Sequence, residues 1–285
     1  MGRVRQDIEQ AALRIPSEPY ADLPQVLETF VAGVHQSLGE NLVGAYLVGS
    51  LATGDFDLDS DIDFLIVVGD ELNDAEVSRL QALHVRIHDL PYYAARHLEG
   101  SYISKQVLTR ADLVGVQSLW YVDNGSTVLE RSPHDNQWHV RWILRERAIT
   151  LTGPDPKSLL PPISTGALRS EMRTTIKTLQ ANCIAEMGKP MQWFNTRFGQ
   201  SFTVLTCCRM LHSLHTGTVE SKRAAVKWAE QSLDANWREL IRQAWAERNG
   251  VRFGLKVRQP ADAGLLHETA QFIAYALNAL DSGVA

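Results

Sequence analysis

Apolar positions recur at helical spacing over residues 23–38, where Val26, Leu27, Phe30, Val31, Val34 and Leu38 line one side of a predicted helix placed to cover a sheet. The pattern then changes to short continuous runs. Residues 45–48 and 61–68 are rich in β-branched and aromatic side chains and read as buried strands. Helical spacing returns over residues 74–83, with Asn73 or Asp74 as N-cap and a possible continuation through Ile87. Residues 98–103 and 119–121 are further strand candidates, and 137–151 has the pattern of a short helix packed on the sheet. Gly153-Pro-Asp-Pro156 and Pro161-Pro162 then interrupt regular structure and mark a joint. Beyond it the spans 166–187, 201–215, 221–233, 236–247 and 261–280 each have the length and period of an amphipathic helix. Turn residues at Thr216-Gly217-Thr218 and Asn249-Gly250 join neighbours into an antiparallel bundle. The expected organisation is an α/β domain over 1–157 and an all-α helical bundle over 158–285.

Charge narrows the partners. The chain carries 28 Lys and Arg against 33 Asp and Glu, a net charge of −5, and no basic cluster dominates any stretch. Sequence-independent binding of a nucleic-acid backbone needs such clusters, so no nucleic-acid partner is expected, and a small cationic acceptor suits the balance better. Met1 to Gln10 is charged and lacks the apolar segment of a signal peptide, and no later run is long or apolar enough to span a membrane. That reading makes the protein cytoplasmic, without a membrane partner. Cys183, Cys207 and Cys208 lie in apolar helical context without CxxC spacing and read as reduced core residues.

The candidate chemistry lies between the first two strands. Gly49-Ser50 closes the first, and Asp61-Ile-Asp63 opens the second. Side chains alternate along a strand, so Asp61, Asp63 and Leu65 share one face while Ile62, Phe64 and Ile66 take the other. Two carboxylates at that spacing suit Mg²⁺, which usually takes one or two protein carboxylates and completes its shell with substrate phosphates. The acids at 55, 57, 59 and 61 resemble a calcium loop only superficially: no glycine follows at the sixth position, no acid closes the twelfth, and a strand follows instead of a helix.

Gly49-Ser50 followed by Asp61-x-Asp63, flanked by strands, resembles the signature of the polymerase-β-type nucleotidyltransferase superfamily. The resemblance implies a mixed sheet, a Gly-Ser turn that holds the triphosphate of ATP, and Mg²⁺ on Asp61 and Asp63. The segment from Arg141 to Pro154 with the Leu159-Leu160-Pro161 stop, and Val204 to Lys222 with Lys227-Trp-Ala229, is similar to the (3'')(9) aminoglycoside adenylyltransferases in order and spacing. This second resemblance covers nearly the whole chain. It implies AMP transfer from ATP to a hydroxyl of an aminoglycoside or aminocyclitol, with pyrophosphate leaving and a cleft closed by the bundle.

A proton acceptor for the attacking hydroxyl is also needed. Glu99 is the candidate on the neighbouring strand, with Asp89 and Asp112 as competitors, and the family resemblance implies the base role for Glu99. Lys222 opens a predicted helix, where a cation opposes the macrodipole unless an anion is bound. Arg209 lies amid apolar neighbours and needs a phosphate or an internal acid as partner. Both are therefore candidate nucleotide-binding cations. Streptomycin-accepting relatives use a tryptophan of the first domain and an aspartate of the second. Trp120 lies near the matching position of the first, whereas Arg197-Phe-Gly-Gln-Ser201 has no acid. Two other functions fit the motif less fully: transfer to a protein side chain or another metabolite, and a non-catalytic, antitoxin-like nucleotide-binding module. The chain is expected as a monomer or homodimer.

Overall fold

In a computed structural model, residues 20–189, 192–248 and 258–281 are described, so Met1 to Gln10 and the Asn249-Gly250 turn lie outside them. The chain divides into two compact units, 1–163 and 164–285.

The first unit is built on a six-stranded mixed sheet of order β5-β4-β3-β2-β1-β6. Its strands are β1 (Leu42–Leu47), β2 (Ile62–Val68), β3 (Leu98–Ser104), β4 (Leu119–Val122), β5 (Leu129–Ser132) and β6 (Ile149–Thr152). Only β2 and β3 run parallel, because α2 (Asp74–His88) supplies the crossover that a parallel pair requires. That helix starts where the sequence predicts. Asn73 accepts from Glu76 N at 3.0 Å while Glu76 accepts from Asn73 N at 3.0 Å, a complete capping box.

One sheet face is covered by α1 (Leu23–Leu38) and α2. Ile62, Phe64, Ile66 and Val68 of β2 enter this core with Val26, Leu27, Phe30 and Val34 of α1, as the alternation predicts. Phe30 and Phe64 meet at 4.8 Å between centroids. His84 is buried beside them, its Nε2 2.9 Å from the Tyr102 hydroxyl, and burial pushes its imidazole down to about 4.

The span 137–151 departs from its expected form. It holds a helix, α4 (Trp138–Glu146), and then β6, which pairs antiparallel with β1. Arg141 of α4 is buried. Its guanidinium donates to the carbonyls of Leu108 and Val107, both at 2.8 Å, and to Asn136 Oδ1 at 2.9 Å. Those carbonyls belong to the end of α3 (Lys105–Thr109), where a cation satisfies acceptors the helix cannot. The edge strand β5 was not predicted, since its Leu-Glu-Arg-Ser sequence carries one buried position and is held by pairing with β4.

Among the described residues the second unit consists of α5 (Thr165–Glu186), α6 (Arg197–Thr216), α7 (Lys222–Ser232), α8 (Arg238–Arg248) and α9 (Ala263–Asp281). Helix α6 packs against the other four. It begins earlier than its apolar period suggests because Thr196 caps it, accepting from Gly199 N at 3.0 Å. It ends where predicted, at left-handed Gly217. Arg197 grips Glu247 of α8 through Nε at 2.9 Å and Nη2 at 2.7 Å. Cys183, Cys207 and Cys208 are buried free thiols, each raised mainly by burial. No described helix is long and apolar enough to cross a membrane.

Candidate active site

Strand β1 delivers the chain to the site through Val48, whose N–H donates to the Asp63 carbonyl at 2.9 Å. Gly49 then turns with φ +57 and opens a short helical segment, Gly49–Thr53, that closes on left-handed Gly54. Only glycine suits the first position. A Cβ there would overlap Asp63 Oδ2 and Cγ and stand 2.8 Å from Asp63 Cβ. The turn and the acid are therefore in van der Waals register. Thr53 Oγ1 donates to the Gly49 carbonyl at 3.1 Å and Asp55 N to the Ser50 carbonyl at 3.1 Å, which ties down the backbone. Ser50 Oγ is buried with no hydrogen-bond partner.

The acids of the loop divide into two sets. Asp57 Oδ1 accepts from Asp59 N at 3.1 Å and from Ser60 Oγ at 2.8 Å, so it shapes the turn. Asp63 belongs to β2, and Asp61 directly precedes that strand. Asp63 is paired in register with Glu99 across the parallel β2–β3 ladder, so the two side chains leave the same face as neighbours. Asp61, two residues before Asp63, extends the row, and Asn124 Nδ2 donates to its Oδ1. The face is the one opposite the α1 core. Asp61, Asp63 and Glu99 thus crowd one rim, and Asp135, which accepts from Ser101 Oγ at 2.7 Å, adds a further carboxylate near Glu99. Burial first, then Asp63 and Asp61, push Glu99 up to about 9, against the pull of a hydrogen bond from Tyr121. Asp89 and Asp112 are elsewhere: Asp89 is 74% exposed at the end of α2, and Asp112 is 62% exposed and pairs with Arg110.

Trp120 is not brought to this rim. It pairs with Tyr102 on β3 and so shares the α1 and α2 face, where it is partly buried against the core with Arg131 stacked 4.3 Å from its ring centroid. Its neighbour Tyr121 takes the site face opposite Ser101. The sequence reading missed Tyr121, Asn124 and His134, because which residue of a short strand faces the acids depends on a register that appears only in the sheet. In the second unit, Lys222 is the first residue of α7, with Ser221 as N-cap, and its Nζ lies 5.9 Å from the Phe202 ring centroid. Arg209 is half-buried on α6.

The donor set suits a hard divalent cation that is completed by its substrate. Among the described residues, no group of three or more His, Cys, Asp or Glu makes a ready metal cage. Mg²⁺ seldom uses one, and Asp61 and Asp63 offer the one or two carboxylates it usually takes beside phosphate oxygens. The burial of Glu99 beside Asp63 and Asp61 and the unpartnered Ser50 hydroxyl both fit a site built for charged ligands.

The Nucleotidyltransferase domain family matches residues 31–121, a span that begins within α1, ends within β4 and contains Asp61, Asp63 and Glu99. The protein is an enzyme of the nucleotidyltransferase type. The second unit carries the narrower assignment, since residues 158–274 match the family "Aminoglycoside adenylyltransferase, C-terminal domain". Residues 31–121 thus form a nucleotidyltransferase domain, and residues 158–274 belong with the C-terminal domains of aminoglycoside adenylyltransferases. A spectinomycin 9-adenylyltransferase of Staphylococcus aureus is 24% identical over 227 residues, 76% of this chain and 78% of the relative. One from Campylobacter jejuni is 21% identical over 234 residues, 78% and 84% respectively. The crystal structure of the spectinomycin adenyltransferase of Enterococcus faecialis, with ATP and spectinomycin, shares the fold with a TM-score of 0.65 at 18% identity, covering 90% of this chain and 98% of that one.

Proposed function

We propose that the enzyme transfers the AMP group of ATP to a hydroxyl of an aminoglycoside or aminocyclitol, with pyrophosphate as the leaving group. The observation that carries this reading is the row of Asp61, Asp63 and Glu99 on one face beside the Gly49-Ser50 turn. In it, Gly49 and Ser50 cradle the triphosphate, on a turn whose close approach to Asp63 a side chain at 49 would block. Asp61 and Asp63 hold Mg²⁺, which when bound neutralises charge on the phosphates in an in-line displacement. Glu99 takes the proton of the acceptor hydroxyl. Burial first, and then its two acid neighbours, favour the protonated form of Glu99, so a cation that cancels the neighbours' charge shifts it toward the form that acts as a base. Arg209 and Lys222 are proposed as further phosphate-binding cations.

An aminocyclitol such as spectinomycin is the first acceptor to test. The relatives named for it and the absence of an acid in residues 197–201 both favour it over streptomycin. Pyrophosphate release from ATP and Mg²⁺ is measured with spectinomycin, streptomycin and other aminoglycosides. Acceptor-dependent release with spectinomycin is expected. No release with any member of the panel would overturn the proposed acceptor class.

A further inference from the structure

Beyond the three acids, one side chain on the rim is placed to act through Glu99. The Tyr121 hydroxyl is 2.7 Å from Glu99 Oε1 and 3.0 Å from Asp123 Oδ1, and it donates to both acceptors with a single proton. Asp123 Oδ1 also accepts from Asn124 N at 3.0 Å, so the protein backbone fixes the second acceptor. The tyrosine ring is held from the other side. Its centroid is 5.1 Å from that of His134, whose Nε2 stands 3.8 Å from the same Glu99 Oε1. The described contacts of Glu99 are thus made by one oxygen. Oε2 is left as the oxygen able to receive a proton.

We propose that Tyr121 is the positioning residue of the reaction: its hydroxyl pins Glu99 Oε1 and so orients Oε2 toward the acceptor hydroxyl. The inference rests on the base role proposed for Glu99. A hydrogen bond that fixes a general base matters to the chemical step and not to substrate capture, so its loss belongs in kcat. Tyr121→Phe keeps the ring against His134 and deletes only the donor. It should lower kcat by about ten- to a hundredfold, the effect of one hydrogen bond to a charged group, with KM for ATP and for the acceptor unchanged.

The test is a double-mutant cycle read by pyrophosphate release over ATP and acceptor concentrations that reach saturation, so that kcat and KM are separated, with Tyr121→Phe made in the wild-type and Glu99→Gln backgrounds. If Tyr121 acts through Glu99, its removal changes the residual rate of Glu99→Gln by less than about twofold. An equal loss in both backgrounds, or a loss carried by KM, overturns the positioning role. A Tyr121→Phe enzyme at full kcat beside a slow Glu99→Gln enzyme overturns it too, and leaves the base role standing. A fully active Glu99→Gln enzyme is a different result: it removes the base itself, and the positioning role with it.

Discussion

Replacing Gly49 by alanine asks whether the phosphate turn and Asp63 are one device. Gly49 holds φ +57, and a left-handed backbone costs an L-residue about 1–2 kcal/mol. The added methyl brings a second effect, because it would overlap the Asp63 carboxylate. A carboxylate at the end of a side chain can rotate away, so the overlap is relieved by moving the acid and not by opening the sheet. Misplacing a catalytic group by about 1 Å costs on the order of a hundredfold in rate. Gly54 is an internal control. It holds φ +79, but no atom lies within 4 Å of its would-be Cβ. Both Gly49→Ala and Gly54→Ala should therefore lose about 1–2 kcal/mol in urea unfolding. Only Gly49→Ala should lose about a hundredfold or more in pyrophosphate release. Equal turnover of the two variants would refute the coupling of the turn to Asp63.

Asp61→Asn and Asp63→Asn should each abolish transfer while leaving the apo protein equally or more stable, since each relieves repulsion at Glu99; near-normal turnover in Mg²⁺ would remove that residue from the mechanism. Glu99 should also leave a mark on stability in metal-free buffer. Its folded value of about 9 exceeds its ordinary 4.5, so between those values the folded chain holds a proton that the unfolded chain has released. This contribution is fully present below the unfolded value and is lost as pH rises through the folded one. The melting temperature of the wild type should then fall more steeply than that of Glu99→Gln from about pH 5 to 9, and parallel profiles would count against the shift. Lys222→Ala should weaken ATP binding by about 1.5–3 kcal/mol, the range for hydrogen bonds to charged groups, and AMP binding by less. Equal losses for the two nucleotides in calorimetry would return Lys222 to a role within its own helix cap.

Local pattern was enough for most of the elements. The helical period over α1, the capping box at Asn73, the β-branched run of β2 and the left-handed stop at Gly217 are each dictated by a few neighbouring residues. So was the shared face of Asp61 and Asp63, because alternation along one strand needs no partner. Strand β6 escaped notice because a four-residue strand directly after a helix is defined by its pairing with β1. The start of α6 at Arg197 depended on the Thr196 cap more than on apolar spacing.

Placement across strands was decided by the tertiary structure. Sequence alone left Glu99, Asp89 and Asp112 in competition, and the β2–β3 register put Glu99 beside Asp63. The same kind of register exchanged Trp120 for Tyr121 at the rim, since a one-residue step along β4 moves a side chain to the opposite face. Residues on one strand keep their relation wherever the strand goes. Residues on different strands acquire theirs only when hydrogen bonds between strands choose a register, and that choice is made by the whole sheet and its core.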